Sequence, residues 1–109
     1  SNNGLKPLTN NWELQRVAQY KARDLTDRNY FSHNSPTYGS PFDMIKNFGI
    51  HYSYAGENIA KGQRTPQEVM NAWMNSQGHR ANILNSNYTQ IGVGYDSRSN
   101  SWVQMFIRP

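Results

Sequence analysis

Ile91-Gly92-Val93-Gly94-Tyr95 is the stretch from which the fold can be worked out. Its side chains alternate with period two, the spacing of a half-buried β-strand. The polar turn Asp96 to Ser101 follows, and then Trp102 to Ile107, a run rich in aromatic and aliphatic residues. Two such runs around a polar turn predict a β-hairpin. Gly92 and Gly94 leave one strand face bare, so a helix or another backbone is expected to approach that face closely.

Upstream of the hairpin the periodicity is helical. From about Asn11 to Arg28, Leu14, Val17, Ala18, Ala22 and Leu25 recur on one face, and Gln15, Arg16, Gln19, Arg23 and Asp27 occupy the other. Asn10 or Asn11 can cap this helix. Asn29 to Gly39 is a loop, punctuated by Ser35-Pro36 and Tyr38-Gly39. A second helix is signalled by Ser40 as N-cap, Pro41 in the first turn and Asp43 near the free N–H groups, with Gly49 closing it. Ala55 to Ala60 reads as a short strand. Thr65-Pro66-Gln67-Glu68 is a capping box with proline at the first helical position. That helix is expected to turn Val69, Ala72 and Trp73 inward and to stop before Gly78. A further turn or short helix covers His79 to Leu84. Helices first and a hairpin last predict an α+β domain with helices packed on a small sheet.

The composition bounds what such a domain can do. At 109 residues the chain is long enough for one domain, and 11 basic against 7 acidic side chains give a net charge of +4. A hydrophobic fraction of 36% is low, but 13% aromatics, with three Trp and seven Tyr, argue against disorder. No apolar run approaches the ~20 residues of a membrane span, so the chain does not read as transmembrane. The absence of Cys removes thiol catalysis, cysteine-rich zinc sites and disulfides, and says nothing of compartment. The basic residues are scattered without a run, which argues against a nucleic-acid partner.

Three residues carry the candidate chemistry. His33 lies in Phe31-Ser32-His33-Asn34-Ser35-Pro36, Glu57 in Ala55-Gly56-Glu57-Asn58-Ile59, and His79 in Ser76-Gln77-Gly78-His79-Arg80. Two imidazoles and a carboxylate suit zinc with an open fourth position, or an acid/base set around one cleft. No His-Glu-x-x-His helix is present, so only the fold could bring them together. The plainer alternative is that each His hydrogen-bonds within its loop and that Glu57 answers Arg64 or a free backbone N–H. His51 reads as an ordinary half-buried residue. Ser32 and Ser76 are candidate nucleophiles, but no Gly-x-Ser-x-Gly elbow occurs, and Ser76 is better read as ending its helix on backbone groups. The Gly-x-Gly of Ile91 to Tyr95 opens no helix and is no dinucleotide loop. Tyr30, Phe31, Trp73, Tyr88 and Trp102 could line a groove, though in a chain this short aromatics more commonly fill the core.

Taken in order, the segments Phe31 to Pro36, Ala55 to Ala60, Val69 to Trp73 leading into Ser76 to Leu84, and Ile91 to Tyr95 resemble the CAP superfamily, also called the SCP or sperm-coating-protein family. Its relatives include cysteine-rich secretory proteins, insect venom antigen 5 and plant pathogenesis-related proteins, and this chain is most similar to the short, cysteine-free bacterial branch. The resemblance implies an α-β-α sandwich with a small antiparallel sheet between helices and a surface cleft. Larger members line that cleft with two His and two Glu, and some bind a divalent metal through the His pair. On the matching motifs His33 and His79 take the two His positions, Glu57 the first Glu position, and Ser76 stands where the second Glu would fall.

The resemblance further implies a single domain over residues 1–109, the C-terminal part of a longer exported protein. Only the tail of a preceding helix would remain in Gly4-Leu5-Lys6-Pro7-Leu8, with a dimer or crystal contact covering the gap. The location expected is secreted or cell-wall associated. The function expected is an extracellular binding module for an unknown extracellular ligand or cell-wall component, holding a divalent metal, zinc first, that is not essential for folding. One alternative is a peptidase-like hydrolase, with metal-activated water or Ser76 as nucleophile and Glu57 as base. Another is sterol or lipid binding between helices near Leu25, Ile45, Phe48 and Met70, residues that an ordinary core would equally use.

Overall fold

The computed structural model describes residues 8–109, beginning with a two-residue strand, β1 (Thr9–Asn10). Helix α1 (Trp12–Asp27) follows at once, because Asn11 stays extended and its side chain accepts the Leu14 N–H at 3.0 Å. The apolar stripe of α1 is fully buried at Leu14, Val17, Ala18, Ala22 and Leu25. Helix α2 (Pro41–Asn47) starts with the Ser40 hydroxyl accepting the Asp43 N–H and ends before Gly49, which takes a left-handed φ of 85°. Strand β2 (Tyr54–Lys61) leads to α3 (Pro66–Met74), where the Thr65 hydroxyl accepts the Glu68 N–H at 3.1 Å. The return arm of this cap reaches the Arg64 N–H rather than that of Thr65. Helix α4 (Gln77–Ile83) and the hairpin β3 (Gln90–Asp96) and β4 (Ser101–Arg108) complete the chain.

The four strands lie in the order β1-β3-β4-β2. β4 pairs antiparallel with both β3 and β2, whereas β1 runs parallel to β3 through Thr9 opposite Gln90 and Asn10 opposite Ile91. The sheet is therefore mixed rather than wholly antiparallel. No hairpin joins β1 to β3, so nothing local dictates their relative direction. Alternate residues of β4 serve two cores. Val103, Met105 and Ile107 join Ile59 against α1 and α2, and Trp102 joins Ala60 against Val69 and Trp73 of α3. The result is an α-β-α sandwich, with α1 and α2 on one face and the α3–α4 pair serving the other.

Gly92 and Gly94 explain how closely α1 lies on the sheet. A Cβ at Gly92 would meet the backbone of Leu14 and Gln15, and one at Gly94 the backbone of Ala18 and Gln19. The Gln19 amide then donates to the Tyr95 carbonyl at 2.9 Å and accepts the Tyr95 N–H at 3.0 Å.

β2 is an edge strand, and its outward carbonyls are covered one by one. Ala55 accepts from the Tyr88 hydroxyl at 3.1 Å, Glu57 from the Asn82 amide at 3.2 Å, and Ile59 from the Trp73 indole at 3.1 Å. Side chains thus replace the missing neighbouring strand.

Some burial expectations change. Ala72 is exposed, because α3 buries only the narrow i, i+4 pair Val69 and Trp73. His51 is exposed rather than half-buried, and Met70 and Phe31 also reach solvent. Residues 4–7, and with them the expected helix remnant and its covering contact, lie outside the described residues. No helix among the described residues is long and apolar enough to cross a membrane.

Candidate functional site

The candidate site lies beside the β2 edge, and two buried charges on α1 build its first wall. Asp24 accepts from the Tyr30 hydroxyl at 2.6 Å, the Thr37 hydroxyl at 2.8 Å and the Ser35 hydroxyl, which together fold the loop after α1. Burial alone would raise the Asp24 pKa, but these hydrogen bonds and the nearby Arg28 outweigh it and hold it below its ordinary 3.8. Lys21, one turn earlier and fully buried, donates to the His33 carbonyl at 2.5 Å and lies 3.8 Å from Glu57 Oε1. Burial lowers the Lys21 pKa against the opposing pull of Glu57 and Asp24. With its backbone held this way, His33 brings Nδ1 to 2.8 Å from Glu57 Oε1. A carboxylate only accepts, so Nδ1 of His33 carries a proton.

The second wall is α4, which buries none of its own residues. Polar bonds hold it in place. The fully buried Asn58 donates its amide to the His79 carbonyl at 3.0 Å and to Gln104 at 3.1 Å, and accepts from Asn82 at 3.0 Å. Ser76 occupies the N-cap position of α4 without a side-chain cap bond. Its hydroxyl instead lies 2.9 Å from His79 Nδ1, so it orients the imidazole rather than ending a helix on backbone. Burial, and then the charge of His33, lower the His79 pKa below its ordinary 6.5, which keeps this ring neutral at pH 7.

The structure thus brings His33, Glu57, Ser76 and His79 into one neighbourhood. Glu57 answers Lys21 and His33, not Arg64 or a backbone N–H. Both imidazoles are held at Nδ1, His33 by a carboxylate that only accepts and His79 by a hydroxyl that can donate or accept. Glu57 is positioned to orient His33 in the manner of carboxylates behind metal-bound histidines. Among the described residues no group of three or more His, Asp or Glu side chains is clustered closely enough to hold a metal ion. Glu57 and Ser76 stand behind the two imidazoles, each at an Nδ1. Ser32 is occupied locally, its hydroxyl accepting the Asn34 N–H at 3.2 Å.

A cavity of about 430 Å³ opens next to His33, with Asn34, Phe42, Glu57, Asn82 and Tyr88 in its wall. Of the aromatic residues considered for a groove, Tyr88 belongs to this wall, whereas Trp73 and Trp102 are buried in the core.

Lys21, Asp24, Asn58 and Asn82 are the functional side chains that motif reading passed over. The first two carried a signal. They fall within the buried stripe of α1, between Ala18 and Leu25, where a charge is costly unless paired. Asn58 and Asn82 carried none, because an amide gains its role only from what lies opposite it.

Comparison with known proteins agrees with this fold. The family model described as "CAP: Cysteine-rich secretory protein family" matches residues 1–106. The chain is 62% identical over 104 residues to the uncharacterized protein YkwD of Bacillus subtilis (strain 168), covering 95% of this chain and 40% of that protein. A crystal structure of an extracellular protein containing a SCP domain from Bacillus anthracis str. Ames superposes with a TM-score of 0.95 at 36% identity, over 99% of this chain and 36% of that one. An outer surface protein from Borrelia burgdorferi shares the fold, with a TM-score of 0.87 at 23% identity over 98% of this chain and 81% of that one. The chain thus spans about two-fifths of the length of YkwD. With the sequence motifs, the sandwich and the family match in agreement, the chain belongs to the CAP, or cysteine-rich secretory protein, family.

Proposed function

We propose that this domain is an extracellular binding module whose cleft takes a divalent metal, zinc by its donor chemistry, on His33 and His79. The observation that carries the reading is the paired orientation of the two rings, with Nδ1 of His33 on Glu57 and Nδ1 of His79 on Ser76. Neutral imidazole offers the nitrogen lone pair that zinc prefers, and the lowered His79 pKa keeps that ring unprotonated. When bound, the ion would supply a Lewis-acidic anchor for an oxygen or nitrogen group of a ligand. Glu57 and Ser76 would keep the rings in place, with buried Lys21 beside Glu57 at 3.8 Å. The extracellular location is supported by the relatives described as an extracellular protein and an outer surface protein.

Binding is favoured over hydrolysis because the position of the second family carboxylate holds the Ser76 hydroxyl, which is committed to His79. Glu57 is in turn tied to Lys21 and His33, which makes it a poor candidate for a free general base.

Calorimetric titration with zinc near pH 7.5 tests the proposal. Micromolar or tighter binding is expected, lost in the His33→Ala/His79→Ala double variant. Because imidazoles must be neutral to ligate, affinity should fall as the pH is lowered from 7.5. Wild-type protein that takes up no zinc, or a double variant that binds equally well, would remove the metal from this cleft.

A further inference from the structure

We infer that the outward face of α1 is a docking surface for a polymer with phosphate in its backbone, an inference that uses neither the His33–His79 cleft nor zinc. The starting point is a tryptophan in water. Trp12 is 75% exposed, more than any other large hydrophobic side chain among the described residues. It lines an open hollow of about 340 Å³ together with Gln15, Arg16, Gln19, Tyr20 and Arg23. Arg16 and Arg23 are seven residues apart, so the chain shows no basic run, but the helix sets them on one face two turns, about 11 Å, apart. Both guanidinium groups sit against the Tyr20 ring, with Cζ 5.7 Å and 5.8 Å from its centroid, and Phe48 backs that ring at 5.5 Å. The ring holds two long side chains partly ordered, which lowers the entropy they lose when a ligand arrives.

The surrounding charge selects the partner. Among the described residues neither guanidinium has an ion-pair or hydrogen-bond partner of its own, and no carboxylate lines the hollow. Of the exposed acids on α1, Asp27 is taken by Arg98 at 2.7 Å and Glu13 lies outside the wall. Two free guanidiniums present the planar N–H forks that suit phosphate oxygens. Cations at two-turn spacing favour charges in series over a lone anion. In a phosphodiester-type chain the charge lies in the backbone itself. A chain laid along α1 therefore brings successive phosphates to Arg16 and Arg23 while its linking atoms cross Tyr20 and Trp12. Carboxylates on side arms reach the guanidiniums only where an arm turns inward. An anionic bilayer is the competing partner. It needs several apolar side chains to enter the interface, and of those in the hollow only Trp12 is free, since Tyr20 is half-buried against Phe48.

The test is an NMR titration in EDTA with linear inorganic polyphosphate, read at the tryptophan indole N–H signals. Trp73 and Trp102 donate theirs to the Ile59 and Gln63 carbonyls and serve as internal references. The Trp12 signal should shift saturably, with a Kd of about 0.1 mM or tighter at low salt, weakening several-fold at ~0.15 M salt. Arg16→Gln/Arg23→Gln, at exposed positions, should keep the rest of the spectrum and weaken binding about tenfold or more. Lys61→Gln/Arg64→Gln removes the same charge elsewhere on the surface and should bind within about twofold of wild type. The inference is overturned if the Trp12 signal stays still, if the two double variants lose affinity alike, or if the Arg16/Arg23 variant binds as tightly as wild type. It is equally overturned if polyglutamate of similar length binds as tightly as polyphosphate, or if phosphatidylglycerol vesicles shift Trp12 and polyphosphate does not. Zinc titrations succeed or fail independently of each of these results.

Discussion

Asp24 sets the position of His33 without touching it. Three hydroxyls, from Tyr30, Ser35 and Thr37, converge on its carboxylate, and the Ser35 oxygen in turn accepts the Thr37 and Tyr38 N–H groups. These bonds favour the ionised form, so the folded pKa lies below the ordinary 3.8. A depressed carboxylate contributes stability above its unfolded pKa and loses that contribution as pH falls through the folded value. Asp24→Asn should therefore destabilise the domain by about 1–3 kcal/mol at neutral pH, with the difference from wild type shrinking as pH falls below the ordinary 3.8 and through the lower folded value. Urea midpoints measured from pH 7 downward check this, and parallel curves for the two proteins would show that Asp24 is not a titrating clamp. Lys21 works beside it. Its ammonium fixes both the His33 carbonyl and the Glu57 carboxylate, so one buried cation sets the imidazole and the group that orients it.

At the scale of elements, the domain depends on how near α1 can come to β3. The two glycines of the hairpin remove the side chains that would hold the helix away, and Gln19 then bonds both backbone groups of Tyr95. Gly94→Ala would place a methyl group against the backbone of Ala18 and Gln19, where relief requires moving a whole helix. A loss of roughly 1–3 kcal/mol or more is expected, as for other overpacked interiors. Gly78→Ala in α4 is the control, because a Cβ there meets nothing within 4 Å and alanine favours helix. Thermal melts of the two variants should move in opposite directions. A Gly94→Ala protein as stable as wild type would mean that the α1–β3 contact is softer than this spacing implies.

Across the whole molecule, the two helical layers are held by different forces. α1 is fixed by a fully buried apolar stripe, whereas α4, which carries His79, buries no residue and depends on Asn58, Asn82 and Gln104. The functional wall is thus attached by directional bonds that give little once broken, the pattern expected of a region with low local stability. Asn58→Ala should cost about 1–3 kcal/mol and unprotect α4 in hydrogen exchange, while α1 and β4 keep their protection relative to global unfolding. Zinc binding should weaken in the same variant, since His79 loses its fixed place. Uniform loss of protection over all elements would show instead that the two layers unfold as one unit.

The sequence by itself determined whatever depends on neighbours in the chain. The caps at Asn11, Ser40 and Thr65, the stripe of α1, the hairpin and the bare glycine face are all local patterns, and each reappears at its expected place. The family motifs also marked His33, Glu57 and His79, although spacing alone could not say that they meet. Only the tertiary structure decided the partners. Sheet order places β2 at the edge, faces Glu57 toward Lys21 and Asn58 toward α4, and adds β1 in parallel. Ser76 shows the difference most clearly. Its sequence context suggests a helix end, but its hydroxyl goes to His79, because α4 begins directly at that point and sets the imidazole one turn away. Periodicity and capping act over a few residues and are written in the chain. The pairing of buried charges and amides acts across space, and the order of strands and helices alone fixes it.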